Sequence, residues 1–449
     1  MTNGSIRPRE RDAILQSLRA GVVPRLGLQH IQVGRASEVT ALIDDLDRLS
    51  DGGSAIRFVI GEFGSGKTFF LSLVRTIALE KKFVAAQADL TPDRRLHATG
   101  GQARALYQEL VRNFATRSKP EGGALPAVVE RFVASAIERA TTQGVKPEAV
   151  IRERLASLSE MVNGYDFANV IAAYWSGHDS GNEALQADAI RWLRGEFSTR
   201  TDARAALGVR TIVDDATVYD QLKLLARFVR LAGFAGLLVC WDELVNLYKL
   251  ANTRARNTNY EQILRILNDS LQGSAEGMGV LLGGTPEFLL DPRRGLYSYP
   301  ALQSRLGENR FATNGLIDYS GPVMRLANLS PEDLYVLLTK LRHVYAAGDP
   351  ASYAVPDEAI KAFMLHCSQR IGDAYFRTPR NTVTAFINLL AILEQNPAAS
   401  WQQLLGGIEV QPESNPDLAP LEDETADEAP SPITGSPADG DDDLASFKL

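Results

Sequence analysis

Cysteine is nearly missing from this chain: Cys240 and Cys367 are the only two in 449 residues. Both sit in apolar surroundings, which leaves no disulfide framework and no paired-thiol metal pattern. Such usage is that of a reducing compartment, and a cytoplasmic protein is expected. Histidine is also sparse, five scattered residues without ligand spacing, read as surface or core groups rather than metal ligands. No apolar run approaches the roughly 20 residues that a membrane-spanning helix needs. The start, MTNGSIRPRERD, has charges with no apolar segment behind them, so no secretory signal is expected. No internal repeat is visible, which argues against a solenoid.

What remains is globular composition, 45% hydrophobic and 23% charged, with room for two or three structural units and large cores. The formal charge of −8 is unevenly placed. From Glu409 to Leu449 twelve Asp/Glu stand against one Lys, so this tail carries −11 and the other 408 residues carry +3. A near-neutral body does not demand nucleic acid as a partner, although local basic patches leave it open.

The most informative segment is 56–68, IRFVIGEFGSGKT. Ile56, Phe58, Val59 and Ile60 read as a buried strand. Gly61 to Thr68 then fit the phosphate-binding pattern GxxxxGK[ST], and FFLSLVRTIALEKK continues as a helix. Gly lets successive backbone N–H groups curl around phosphates without a Cβ clash. The following helix points its positive end at the same anion. Lys67 is the candidate for the β- and γ-phosphates, and Thr68 for Mg²⁺. Gly61, Glu62, Phe63, Gly64, Ser65, Gly66, Lys67, Thr68 and Phe69 are therefore candidate nucleotide contacts. An ordinary Gly-rich turn would not need Lys and Thr directly after Gly66.

Along the chain, residues 6–20 read as an amphipathic helix broken by GVVPRLGLQHIQVGR, and SEVTALIDDLDRLS as a second helix with Ser37 as N-cap. FVAAQADL (83–90) reads as a strand. Residues 92–215 are almost continuously helical in pattern, too long for one crossover, and read as a helical insertion. Strands resume at GFAGLLVCWDE (233–243) and GMGVLLGGT, with a helix near 259–272 between them. From Pro322 to about Asn396 the pattern is helical again, with Ser330 as an N-cap followed by Pro331. Beyond Gly406 the Pro, Asp, Glu and Ser content predicts disorder. The expected architecture is α/β, a parallel sheet with sites at the C-terminal strand ends. Its units are 1–91 and 216–320 for the core, 92–215 for the insertion, 321–400 for a helical lid and 401–449 for an acidic tail.

A nucleotide-hydrolysing site needs a carboxylate near Mg²⁺ and a group to position water. Asp242 at the end of an apolar strand fits the first role, and Glu243 the second as general base. The alternative is two surface acids capping the next helix. Thr285 ends the following strand and can contact the γ-phosphate or the water; a plain turn residue is the competing view. Arg305 and Arg310, in ALQSRLGENRF, are candidate arginine fingers from a neighbouring subunit, or surface salt-bridge formers. Arg380, after Pro379 at the start of a predicted lid helix, can reach back to the γ-phosphate, with Arg377 as local competitor.

Taken in order, VGR (33–35), GEFGSGKT, LLVCWDE, GGTPEF, SRLGENRF and TPRNTV resemble an AAA+ ATPase of the initiator-like branch. More narrowly, GLQHIQVGR, DRRLHATGGQARALYQEL, IRWLRGE and NDSLQGSAEGMGVLLGGTPEFL resemble the BREX ATP-binding domain family, which includes the D protein of BREX phage-defence systems. The resemblance spans about residues 6–395. It implies ATP and Mg²⁺ as ligands, ATP hydrolysis, and a bacterial defence context beside a helicase or nuclease partner. It also implies that Arg35 lies near the adenine pocket, Thr285 takes the sensor-1 position and Arg380 the sensor-2 position. A homo-oligomer through the AAA+ interface is compatible with it. Initiator-type proteins usually carry a C-terminal winged helix for DNA. Too few ordered residues are expected after the lid here, so direct DNA binding is either absent or uses the helical insertion. ATP rather than GTP rests on the resemblance together with the lack of a guanine-reading N/T-K-x-D motif.

Two functions follow as expectations: an ATPase driving or gating a DNA-acting defence complex, or a non-hydrolysing ATP switch that recruits a partner. A STAND-type signalling ATPase predicts sensor repeats or an effector domain, and neither is visible. The ending DGDDDLASFKL places Leu444, Phe447 and Leu449 after an acidic cluster, a candidate docking peptide or a solubilising tail.

Overall fold

A run of β-branched and aromatic residues, Ala55–Ile60, forms strand β1 of a parallel sheet in the computed structural model, which describes residues 6–312, 317–372 and 379–407. The other described strands are β2 (Val84–Asp89), β3 (Leu237–Asp242), β4 (Met278–Gly284) and β5 (Val323–Arg325). Their order across the sheet is β2-β3-β4-β1-β5, and every pairing is parallel. Parallel strands need crossover connections on the sheet faces. Accordingly β3 and β4 are buried at every position, which is why they read as continuous apolar runs.

One face carries Val59, Ala85, Leu238, Cys240 and Leu281 and packs on the helices Ala36–Ser50 and Lys67–Glu80. The other carries Ile56, Phe58, Val239 and Val280. On this face the helices between β2 and β3, such as Gln102–Arg112 and Leu125–Gln143, share a continuous apolar core with the sheet. Beyond β5 the helices Pro331–Tyr345, Asp357–Ile371 and Pro379–Gln395 build a smaller core. The N-terminal helix Pro8–Arg19 joins that core through Ile14 and Leu15. Ser330 caps the first of these helices in a capping box with Asp333, as predicted.

Three local expectations need correction. Residues 323–325 are an edge strand rather than the start of helix; three residues are too few to show a period. The helix Ala36–Ser50 is preceded by Arg35 in a left-handed conformation, so Ser37 lies inside it. The helix expected near 259–272 begins earlier, at Thr253, with Asn252 as its cap. The tail calls Leu444, Phe447 and Leu449, and Arg377, fall outside the described residues. Among the described residues no helix is long and apolar enough to cross a membrane.

Strand β1 is anchored by a charged residue. Arg57 on β1 is buried and donates from Nε to Asp45 Oδ2 at 2.6 Å and from Nη2 to Asp45 Oδ1 at 3.0 Å. Its Nη1 donates to the Tyr319 carbonyl at 2.6 Å and to the Gly321 carbonyl. Arg48 also pairs with Asp45, so Arg57→Ala leaves that carboxylate partly compensated but takes the donor from the Tyr319 and Gly321 carbonyls, and a loss of about 1–3 kcal/mol in folding free energy is expected. Urea unfolding of the two proteins measures it; a loss within about 0.5 kcal/mol, typical of surface positions, would contradict this anchoring role.

Candidate nucleotide-binding site

Because the strands are parallel, the C-terminal ends of β1, β3 and β4 open to one side, where such sheets hold their ligands. β1 ends at Ile60, and Gly61 N–H donates to the Gly284 carbonyl at 3.2 Å. The chain then curls, with Ser65 N–H donating to the Glu62 carbonyl at 3.1 Å. Gly64 and Gly66 take φ values of 79° and 85°, a region costly for any residue with a Cβ. Gly66 is the N-cap of the helix Lys67–Glu80, whose first-turn N–H groups face the loop and suit an anion. Lys67 Nζ donates to the Gly61 and Glu62 carbonyls, each at 2.9 Å.

Thr68 and Asp242 are 174 positions apart in sequence, yet the Thr68 hydroxyl donates to Asp242 Oδ2 at 2.7 Å. Asp242 is buried, and its Oδ1 accepts from Glu243 N–H at 2.9 Å. Glu243 itself has φ 59°, a left-handed conformation that costs a non-glycine residue on the order of 1 kcal/mol and is held by its surroundings. β4 runs between β1 and β3, so Gly283-Gly284-Thr285 separates the loop from the Asp242-Glu243 pair. A Cβ at Gly283 would collide with Asp242 Oδ1. The glycine therefore permits the close approach of backbone to carboxylate. Thr285 is buried, and its hydroxyl accepts from Phe288 N–H at 3.4 Å as N-cap of Pro286–Leu290.

These groups line a cavity of about 230 Å³. One end is polar, with Lys67, Thr68, Glu243 and Thr285. The other is apolar, with Leu18, Val22, Val23, Val33, Leu337 and Val383 contributed by the N-terminal segment and the C-terminal helices. Phosphates suit the first end and a purine the second. Arg380 also lines the cavity, its guanidinium 5.9 Å from the centre of the Phe63 ring. Arg35 lines it too, and its Nη2 donates to the Ser65 carbonyl at 2.8 Å and the Ala327 carbonyl at 2.7 Å. Burial lowers the Arg35 pKa, partly opposed by Glu38 and Asp333. Glu62 accepts from Asn328 Nδ2 at 2.9 Å. The buried Ser65 hydroxyl has no hydrogen-bond partner among the described residues.

Arg305 and Arg310 are not brought to this cavity. Both are exposed, and Arg305 Nη1 donates to its own helix at the Ala301 carbonyl, 3.0 Å away. Several wall residues escaped the sequence reading. Val22 and Val23 were visible only as part of a helix break, and Gly283 as part of a strand. Asp89 ends β2 in register with Asp242; an acid at a strand end, as in QADL, was the available signal.

A glycine-bearing loop, a hydroxyl–carboxylate pair and a second carboxylate beside them, all at the open end of a parallel sheet, make a candidate phosphate-ligand site in an α/β fold. Comparison with family models matches residues 6–409 to the BREX system ATP-binding protein BrxC/D family, and the chain belongs to that family. No curated protein gives a match.

Proposed function

We propose that this chain is an AAA+ P-loop ATPase that binds ATP with Mg²⁺ and hydrolyses it to drive or gate a DNA-acting anti-phage complex. The observation that carries the reading is the 2.7 Å contact of Thr68 with Asp242, which joins the phosphate loop to the end of β3, where Asp242 and Glu243 stand together. The strand order supports it further: Thr285 follows β4, which lies between β1 and β3, and it lines the same cavity, so it is the candidate γ-phosphate sensor.

The donor set fits Mg²⁺, which prefers oxygen ligands and keeps several waters. Among the described residues no cluster of three His, Cys, Asp or Glu can hold a metal by itself. Thr68 and Asp242 would hold the cation, and the rest of its oxygen ligands would have to come from the nucleotide and from water. When bound, the cation neutralises phosphate charge. Lys67 exchanges its loop carbonyls for β- and γ-phosphate oxygens. Glu243 orients a water for attack on the γ-phosphorus and takes its proton as the bond to the β–γ bridging oxygen breaks, giving ADP and phosphate. Arg380 approaches from the lid side. Arg305 or Arg310, on the surface, suits a finger offered to a neighbouring copy.

The test is ATP turnover by purified protein, alone and with single- or double-stranded DNA and a candidate helicase or nuclease partner. Turnover that DNA or the partner raises is the expected result. Tight ATP binding with no turnover under any of these conditions would replace the motor by a nucleotide switch that recruits its partner.

A further inference from the structure

We propose that Asp89 is a second carboxylate of the cation site, a positioning residue that would orient water bound to the Mg²⁺. This rests on the nucleotide site proposed above.

Asp89 and Asp242 are paired in register at the ends of adjacent parallel strands, and Leu90 N–H donates to the Asp242 carbonyl at 3.0 Å. Neighbouring strands lie about 4.8 Å apart, and in-register residues point to the same face. Alternation puts both carboxylates on the face that packs against the helix Lys67–Glu80: Ala85 on β2 and Cys240 on β3 lie in that core. Asp89 also lines a polar cleft of about 340 Å³, and Thr68 is part of the same wall. Thr68 is thus reached from two sides, by the nucleotide cavity and by this cleft. Of the other two acids lining the cleft, Glu109 is engaged by Arg94 at 3.5 Å and Arg112 at 3.1 Å, and Glu121 by Arg9 at 3.8 Å and Arg25 at 4.0 Å. No side-chain hydrogen bond is made by Asp89 among the described residues. A carboxylate one strand away from a direct ligand, beside room for water, is the arrangement by which outer groups orient a cation that keeps its waters.

The experiment measures Mg²⁺ affinity of the full chain loaded with a fluorescent ATP analogue, and Mn²⁺ binding by paramagnetic resonance, neither of which depends on turnover. Asp89→Asn, nearly isosteric, is expected to weaken both by roughly tenfold while leaving affinity for the metal-free nucleotide unchanged. Asp89→Ala serves as a second variant, and thermal melts report folding. Asp242→Asn should weaken the cation more. Glu109→Gln, which removes a carboxylate from the same cleft, should stay within about twofold of the original protein, since an ion-paired charge at longer range is screened. Unchanged cation affinity in both Asp89 variants, with a loss in Asp242→Asn, would overturn this inference and leave the nucleotide site standing. An equal loss in Glu109→Gln would reduce it to a diffuse field effect and overturn it as well. No loss in Asp242→Asn would remove the cation site itself.

Discussion

Glu243→Gln is expected to lower ATP turnover by about 10²–10⁴-fold, the range that a positioned general base supplies, while ATP affinity changes little. The substitution keeps the size of the side chain and leaves the backbone N–H that donates to Asp242 Oδ1. It removes the carboxylate proposed as the proton acceptor. The conformation argues for a residue kept for its position: at φ 59° Glu243 is in a region that asparagine or glycine would enter more easily. Its neighbours on the cavity wall, Thr285 and Lys67, are where a terminal phosphate would lie. Single-turnover measurement with radiolabelled ATP separates the chemical step from binding. Turnover equal to that of the unaltered protein would move the base away from the end of β3.

Lys67→Ala is expected to weaken ATP binding by roughly a hundredfold, about 3 kcal/mol, as charge-assisted contacts to phosphate are lost. The ammonium is at the right place: its two bonds to the Gly61 and Glu62 carbonyls hold it on the lip of the loop. The same bonds mean that the alanine loosens the loop, so part of the loss is conformational. Lys67→Met, which keeps the stem and removes the charge, separates the two contributions. Equilibrium titration with a fluorescent ATP analogue measures the effect, with a thermal melt as the check on folding. Full affinity in Lys67→Met would remove the phosphate role of this residue.

Local signals were legible and long-range ones were not. The phosphate loop is read from eight consecutive residues because each does its work through its own backbone or side chain. Asp242 and Glu243 stand out because a fully buried strand ends in two charges. The order β2-β3-β4-β1-β5 has no such signature, since parallel strands are joined by crossovers that leave their neighbours open. That order is what sets Gly283 against Asp242 and Asp89 beside it, so neither was read as part of the site. The strand β5 is three residues long, below any period. Arg35 lines the cavity, and its guanidinium is bound to two carbonyls, Ser65 and Ala327, from segments far apart in sequence. The N-terminal helix gave its apolar face correctly, but not that the face packs against the C-terminal helices and closes the apolar end of the cavity.

A crystal structure of the protein with Mg²⁺ and a non-hydrolysable ATP analogue tests the central claim most directly. The account predicts the triphosphate against the backbone of Gly64 to Thr68, the cation between Thr68 and Asp242, and the adenine between Val23, Val33 and Leu337. A nucleotide bound elsewhere on the chain, or a triphosphate turned away from Lys67 with its cation held by other residues, would contradict it.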